Sequence, residues 1–411
     1  MGGWWFILTC LLFSVVTGCI EPTYVAPTET VNKSRIQPVE LLTNKVDILL
    51  VVDNSASMCE EQNQLGQALT ALDARLSAQG IDWRIAVTTT DANAGGGQFV
   101  EKPVPSELSL NCLESGIAPN TDDCHDLPAG VSFTSVLRHD VSPDPQVRAK
   151  LIRCMALRGT DGSSFEQGLA ATQLALSCGG PNAQSFGECC VDGIYNPTCS
   201  PKASPAFLRP DAVLAVVIIS DEDDCSDPIT DTVDDLGLTC IDPLDPDCQI
   251  QKDAAANCAW DSKKLVPVDA YEAFLRSLKM DPDRQIIFAS LSGKPATTET
   301  GHVIHYQRGI VSADCRPSLG VSQSQSDTCC PNGRCTGQPQ PVCSSSMGEA
   351  YAGARYARLA EKFGEQGLGC SDSTDPECVS LCEANGVSRM IQKLAVRLDK
   401  IMPTTSPDGL K

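Results

Sequence analysis

Three segments of this chain are apolar along nearly their whole length, and they limit the fold more than any other feature. They are Val46–Val52, Ala212–Ser220 and Gln285–Leu291, and the more mixed Asp82–Thr89 has a similar length. A strand with water on one face alternates apolar and polar residues, whereas a strand covered on both faces does not. These segments therefore predict a mostly parallel sheet that is buried on both sides.

Segments with helical spacing of apolar residues separate the predicted strands. In the first of them, leucines recur at positions 65, 69, 72 and 76, which fall on one side of a helix. The predicted helices are Glu60–Ala78, Gln146–Leu157, Phe165–Leu176, Ala270–Lys279, Gly348–Phe363 and Val387–Ile401. Alternation of strands and helices predicts an α/β fold with a doubly wound, mostly parallel central sheet and helices on both faces.

Long stretches rich in Cys, Pro, Asp and Gly interrupt this framework. They cover about residues 92–143, 178–209, 222–264 and 293–346. Unstructured loops of this length are unusual inside a compact domain. Because each stretch carries cysteines, we interpret them as disulfide-pinned insertions in one domain over residues 44–403, which a short tail over 404–411 follows.

The number of cysteines indicates the compartment. The chain has 22, and 20 of them lie between Cys59 and Cys382. An even number spread through loops is typical of disulfides formed in an oxidising compartment. Zinc is the alternative, because Cys330-x4-Cys335 and Cys378-x3-Cys382 have acceptable ligand spacing. We expect disulfides, since the chain also begins like an exported protein, but the spacing leaves their pairing open.

The N-terminal segment is typical of a signal peptide. Trp4–Val16 is almost entirely apolar but too short to cross a bilayer well. The sequence Val-Thr-Gly-Cys that ends at Cys19 resembles the lipobox of bacterial lipoproteins. This resemblance implies a signal peptide over residues 1–18, lipid attachment at Cys19 and, because Ile20 rather than Asp follows, an outer-membrane location on either face. Met1–Trp5 lacks the usual Lys or Arg, and plain secretion is the alternative.

Residues 19–43 contain three prolines among Thr, Val and Glu and show no periodicity. This composition predicts an extended tether between the lipid anchor and the folded domain.

The net charge of the chain is −21, from 52 acidic and 31 basic residues. A protein this acidic repels phosphate backbones, so we expect no nucleic-acid partner. The charge by itself is explained by solubility, although the same field also attracts divalent cations.

The first apolar strand leads directly into Asp53-Asn54-Ser55-Ala56-Ser57, a D-x-S-x-S pattern. Ligands of open α/β sheets bind beyond the carboxyl ends of the strands. Carboxylate and hydroxyl oxygens are hard donors that suit Mg²⁺, Mn²⁺ or Ca²⁺. We therefore predict that Asp53, Ser55 and Ser57 bind a divalent cation.

The sequence VDILLVVDNSASM resembles the start of a von Willebrand factor type A domain, which carries a metal-ion-dependent adhesion site. Two further runs resemble its later motifs, and they start at Gly159 (GTDGSSFEQGL) and Ala212 (AVLAVVIISDEDD). The resemblance places Ser163 at the family's Thr position, with Thr160 or Ser164 as alternatives. It places Asp221 at the position of the last metal ligand, where Glu222 replaces the usual Gly.

The resemblance also implies a function. The cation, most simply Mg²⁺ with Mn²⁺ or Ca²⁺ as alternatives, would bind an Asp or Glu carboxylate on a partner protein. Two protein carboxylates balance the charge of the ion and leave it able to accept another anion. We expect a non-catalytic adhesion or assembly protein. The alternatives are a structural envelope protein with a vestigial metal site and, because a bound cation can activate water, a hydrolase.

Each predicted ligand also has a purely structural interpretation. Ser57-x-x-Glu60 and Ser163-x-x-Glu166 match the capping box that begins a helix. Asp221 opens an acidic run, DEDDCSD, for which a solvated loop is the simplest expectation. Capping does not explain why Asp53 and Ser55 precede Ser57 at alternate positions.

Overall fold

The computed structural model of the protein describes residues 43–55, 57–92, 96–103, 124, 126–160, 162, 166–226, 265–293, 343–345, 348–370 and 375–402. A six-stranded sheet forms its centre. Its strands are β1 (Lys45–Val52), β2 (Asp82–Thr89), β3 (Val136–Arg138), β6 (Val213–Ile219), β7 (Ile286–Leu291) and β10 (Gly367–Leu368). Two ribbons pair β4 (Cys190–Val191) with β5 (Ile194–Tyr195) and β8 (Cys343–Ser345) with β9 (Gly348–Ala350).

The order of the main sheet is β10-β7-β6-β1-β2-β3. Every neighbouring pair is parallel except β2 with β3, which is antiparallel. The four predicted strands are confirmed as its inner members, and β1, β6 and β7 are buried along almost every residue. The expectation of a mostly parallel sheet is confirmed, with β3 as an antiparallel edge that the sequence did not indicate.

The register of the sheet determines what lies at its carboxyl edge. Val52 of β1 pairs with Thr89 of β2 and with Ile219 of β6, so these three strands end level with one another. The residues that immediately follow, Asp53, Thr90 and Ser220, are therefore neighbours across the edge of the sheet.

Seven α-helices lie within the described residues. They are α1 (Cys59–Ala78), α2 (Pro145–Ala156), α3 (Gly168–Leu176), α4 (Val268–Ser277), the short α5 (Pro282–Gln285), α6 (Ala354–Lys362) and α7 (Gly386–Ile401). Strand β1 divides its side chains between two apolar clusters. Ile48 and Leu50 pack in a cluster with α1, α2 and α7, whereas Leu49 and Val51 pack in a second cluster with α3, α4 and α6.

Two predicted helices begin later than their sequence patterns indicated. The segment predicted to start at Gly348 forms strand β9 first, and the helix begins only at Ala354. The helix predicted from Phe165 begins at Gly168. Hydrogen bonds from outside the helix explain the second difference. The main chain of residues 166–167 bonds to Thr90 and Cys225 on other strand-end loops, which excludes helical bonding there.

The cysteines form disulfides, as expected. Both cysteines are described in five disulfides: Cys124–Cys154, Cys178–Cys190, Cys189–Cys199, Cys343–Cys382 and Cys370–Cys378. The last two bridges exclude the zinc alternative for Cys378 and Cys382, because a disulfide sulfur is not a thiolate ligand.

The predicted insertions differ in how they are built. Residues 178–209 are described throughout, and two disulfides hold them around the β4–β5 hairpin. The stretch after residue 92 contributes the edge strand β3. Most of residues 222–264 and 293–346 lies outside the described residues. The expectation of a solvated acidic run after β6 is wrong for its described part, since Asp223, Asp224 and Ser226 are buried.

A buried ion network stabilises the opposite, amino edge of the sheet. Arg209 donates to Asp47 at 2.9 Å and to Asp82 at 2.6 Å, and both Arg209 and Asp47 are buried. The Lys279 ammonium is also buried and donates to the Arg209 carbonyl at 2.6 Å. The amino edge therefore compensates its own charges.

Candidate metal centre

The Asp53 carboxylate lies fully buried at the carboxyl end of β1. Its backbone N–H donates to the Ile219 carbonyl at 2.9 Å, which continues the pairing with β6 by one residue. One carboxylate oxygen accepts from the Ser55 N–H at 2.7 Å, and the other accepts from the Ser220 hydroxyl at 2.6 Å. Two strands and one turn thus fix the orientation of this side chain.

Asp221 meets Asp53 from the neighbouring strand. It follows Ser220 directly after β6, is 1% exposed, and lies within hydrogen-bonding reach of the Asp53 carboxyl. Its Oδ1 makes no hydrogen bond to any described residue. Burial raises the pKa of Asp221 well above its ordinary value, and the neighbouring Asp53 and Glu222 carboxylates raise it further. Two carboxylates predicted as ligands from distant sequence positions are therefore brought together.

The two serines of the motif lie beside this pair. Ser55 is buried and Ser57 is exposed, and their hydroxyl oxygens are 3.2 Å apart. The Ser57 hydroxyl also lies within hydrogen-bonding reach of Asp221. Helix α1 begins at Cys59 after Met58, with no side-chain capping bond. The capping interpretation of Ser57 is therefore wrong, and its hydroxyl faces the carboxylates at the rim of the site.

The loop that carries the second motif is held against the first. Ser163 and its alternative Ser164 lie outside the described residues. Gln62 links the loop of the first motif to the start of the second motif. Its side-chain amide donates to the carbonyls of Asp53 at 2.9 Å and Gly159 at 2.8 Å. The Gly162 N–H donates to the Asn54 carbonyl at 2.8 Å.

Thr160 is the one described member of the three candidates for the hydroxyl of this loop. Its side chain is 4% exposed, and within the described part of the chain its hydroxyl makes no hydrogen bond. A buried hydroxyl without a partner is unusual in a folded protein. It is consistent with an oxygen that takes another ligand, although the register of the resemblance favours Ser163.

Three glutamates that the sequence analysis did not count as ligands lie near the site: Glu166, Glu222 and the buried Glu61, whose charge raises the pKa of Asp221. Glu166 is 1% exposed, and among the described residues neither of its carboxylate oxygens makes a hydrogen bond of ordinary geometry, although the Thr90 side chain lies within hydrogen-bonding reach. Burial raises its pKa well above the ordinary value, and the Asp53 carboxylate raises it further. Burial and then Asp53 also raise the pKa of Glu222 to about 8. The site therefore holds more acidic side chains than the two carboxylates implied by the resemblance, because Glu166 and Glu222 lie close enough to Asp53 to affect its charge and Glu61 affects Asp221.

No ion pair in the described part of the chain neutralises four of these acids. Among the described ion pairs of Lys, Arg and His side chains, none includes Asp53, Glu166, Asp221 or Glu222. Buried carboxylates without a counter-charge must take up protons or a cation. Among the same residues, no three His, Cys, Asp or Glu side chains are already arranged to hold a metal by themselves. A cation at this edge would therefore also need hydroxyl oxygens or water.

A second, fully compensated cluster braces the loop after β6. Asp224 accepts from the Leu169 N–H at the start of α3 and from the Ser226 hydroxyl, at 2.9 and 2.7 Å. It also pairs with the buried Arg355 at 2.9 Å, and the Ser226 hydroxyl accepts from the Ala170 N–H at 2.9 Å. Side chains from the third motif thus cap the helix of the second motif. Sequence reasoning missed this, because a cap supplied from 55 residues away leaves no local pattern.

No protein-family model, curated protein or solved structure matches this chain in comparisons with known proteins. Across the described residues, the structure contains no helix that is both long and apolar enough to cross a bilayer.

Proposed function

We propose that this chain is a cell-envelope lipoprotein that binds a divalent cation and holds a partner protein through it, without catalysing a reaction. The observation that carries the proposal is the meeting of Asp53 and Asp221, buried and without a cationic partner in the described chain, beside the hydroxyls of Ser55 and Ser57. A hard divalent cation would supply the missing positive charge. Carboxylate and hydroxyl oxygens are the ligands that Mg²⁺, Mn²⁺ and Ca²⁺ prefer.

The fold supports the resemblance to von Willebrand factor type A domains. The two apolar clusters that share strand β1 support a doubly wound sheet with helices on both faces. The three motifs approach one another at the carboxyl edge, which is where such a sheet binds ligands. Exposure of Ser57 provides an opening through which a partner's Asp or Glu could complete the coordination of the ion.

The envelope location is proposed from the N-terminus and supported by the disulfides. The signal peptide over 1–18, the lipid site Cys19 and most of the tether over 19–43 lie outside the described residues, as does the tail over 404–411. Disulfides in the described domain agree with an oxidising compartment outside the cytoplasm. We place the protein at the outer membrane, attached through its N-terminal lipid.

Glu166 and Glu222 favour a second candidate function, a structural disulfide-rich envelope protein whose metal site no longer binds a partner. Two additional carboxylates near the ion would over-neutralise it. An over-neutralised cation attracts a partner's carboxylate less strongly than one balanced by two acids.

Calorimetric titration of the chelator-stripped protein with Mg²⁺, Mn²⁺ and Ca²⁺ tests the metal site. We expect saturable binding by the wild-type protein and none by Asp53→Ala, because this change removes a fully buried carboxylate from the centre of the site. Asp399→Ala is the control, since its carboxylate pairs with Arg75 elsewhere and should leave binding intact. Wild-type binding that survives in Asp53→Ala would refute the assignment.

A pull-down from envelope extract separates the two candidate functions. Partner capture that is lost with EDTA, restored by Mg²⁺ and absent with Asp53→Ala supports cation-dependent adhesion. Specific capture that is unchanged by EDTA and by Asp53→Ala supports the structural function instead.

A further inference from the structure

Glu166 lies above the end of the central strand. The N–H of the next residue, Gln167, donates to the Thr90 carbonyl after β2 at 3.0 Å. The carbonyl of Glu166 itself accepts from the Cys225 N–H, in the loop after β6, at 2.6 Å. Because β1 lies between β2 and β6 in the sheet, these bonds place the Glu166 main chain across the end of β1, where Asp53 is located.

No positive charge in the described part of the chain compensates the burial of Glu166. Its carboxylate is buried, has only the Thr90 side chain within hydrogen-bonding reach among the described residues, and has Asp53, Asp221 and Glu222 as its charged neighbours, all of the same sign. The N-terminus of α3 follows closely, but its Leu169 and Ala170 N–H groups already donate to Asp224 and Ser226. A buried carboxylate without a counter-charge destabilises a fold, so a role with a ligand is the better explanation.

We propose that Glu166 is a third carboxylate ligand of the cation, absent from the D-x-S-x-S motif, and that it makes the site select Ca²⁺ over Mg²⁺. This inference rests on the cation site proposed above. The flexible side chain lets the carboxylate move to the ion while the main chain stays anchored. Ca²⁺ accepts six to eight oxygens, including several carboxylates in irregular geometry, whereas Mg²⁺ requires a near-octahedral shell and keeps several waters. The larger shell of Ca²⁺ also leaves positions for water and for an oxygen of a partner.

Calorimetric titration of the full chain with Ca²⁺ and with Mg²⁺ tests this inference in the wild-type protein, Glu166→Gln and Glu365→Gln. The last is a matched control, because the Glu365 side chain is 92% exposed. We expect the wild type to bind Ca²⁺ more tightly than Mg²⁺. In Glu166→Gln the Kd for Ca²⁺ should rise at least about tenfold, and the Kd for Mg²⁺ should rise less, because affinity for Ca²⁺ depends on the number of charged ligands. Glu365→Gln should match the wild type.

Terbium luminescence separates direct ligation from a structural effect. In Glu166→Gln, decay rates in H₂O and D₂O should show about one or two more waters on the bound ion than in the wild type, since water replaces a mono- or bidentate carboxylate. Glu166→Asp, which keeps the charge but has a shorter reach, should bind Ca²⁺ with intermediate affinity, and it serves as the test if Glu166→Gln does not fold.

Each failure has a distinct meaning. If the wild type binds no divalent cation, the cation site and this inference both fail. If the wild type binds Mg²⁺ at least as tightly as Ca²⁺, or if neither Glu166 variant changes the affinity for Ca²⁺ or the number of bound waters, the role of Glu166 is refuted and the cation site remains.

Discussion

The buried ion pair between Asp224 and Arg355, next to the proposed metal centre, should contribute a large part of the stability of the domain. The substitution Asp224→Asn tests this directly. Asp224 is fully buried, and its carboxylate pairs with Arg355, whose side chain is 1% exposed. Removal of one member of a buried ion pair costs about 3–5 kcal/mol, because the other charge remains buried. Since Asp223 also attracts Arg355, we expect the lower end of that range, about 3 kcal/mol.

Urea unfolding with the disulfides intact, followed by circular dichroism, measures this free energy. Asp399→Asn is the control, because its partially exposed pair with Arg75 should contribute less than about 1 kcal/mol. If the two variants lose the same free energy of unfolding, the reasoning about Asp224 is refuted.

Two further changes test other parts of the structure. Gln62→Leu should lower the free energy of unfolding by about 2–4 kcal/mol and weaken cation binding, because it leaves buried backbone groups of Asp53 and Gly159 without partners. Denaturation and calorimetry measure the two effects, and an unchanged affinity would contradict the link between the motifs. Burial lowers the pKa of Lys279 to about 8, so the unfolded chain binds more protons between about pH 8 and 10.5. In that interval the wild type should gain up to about 3 kcal/mol of stability relative to Lys279→Met, whereas a difference that is constant with pH would contradict this.

The sheet was predictable because burial on both faces leaves a strong local signature. The runs Val46–Val52 and Ala212–Ser220 are apolar throughout, and each forms an inner parallel strand. The edge strand Val136–Arg138 was not predicted, because three residues in a long loop-like stretch carry no comparable pattern.

Helix boundaries were less predictable than strands for a physical reason. Apolar spacing alone extended α3 back to Phe165, but the helix begins at Gly168. The bonds that stop it come from Thr90 and Cys225, which lie far away in the sequence. Local patterns do not contain such competing partners.

At the proposed site, the sequence by itself determined that Asp53, Ser55 and Ser57 follow a buried strand, since that is a local arrangement of neighbours along the chain. The tertiary structure decided which other groups reach them. Asp221 and Glu166 approach Asp53 only because β1, β2 and β6 end level in one sheet. The same packing buried these acids away from water and left no Lys, Arg or His side chain paired with them in the described chain. Burial and a missing counter-charge are properties of the folded surroundings and are not encoded in any local sequence pattern.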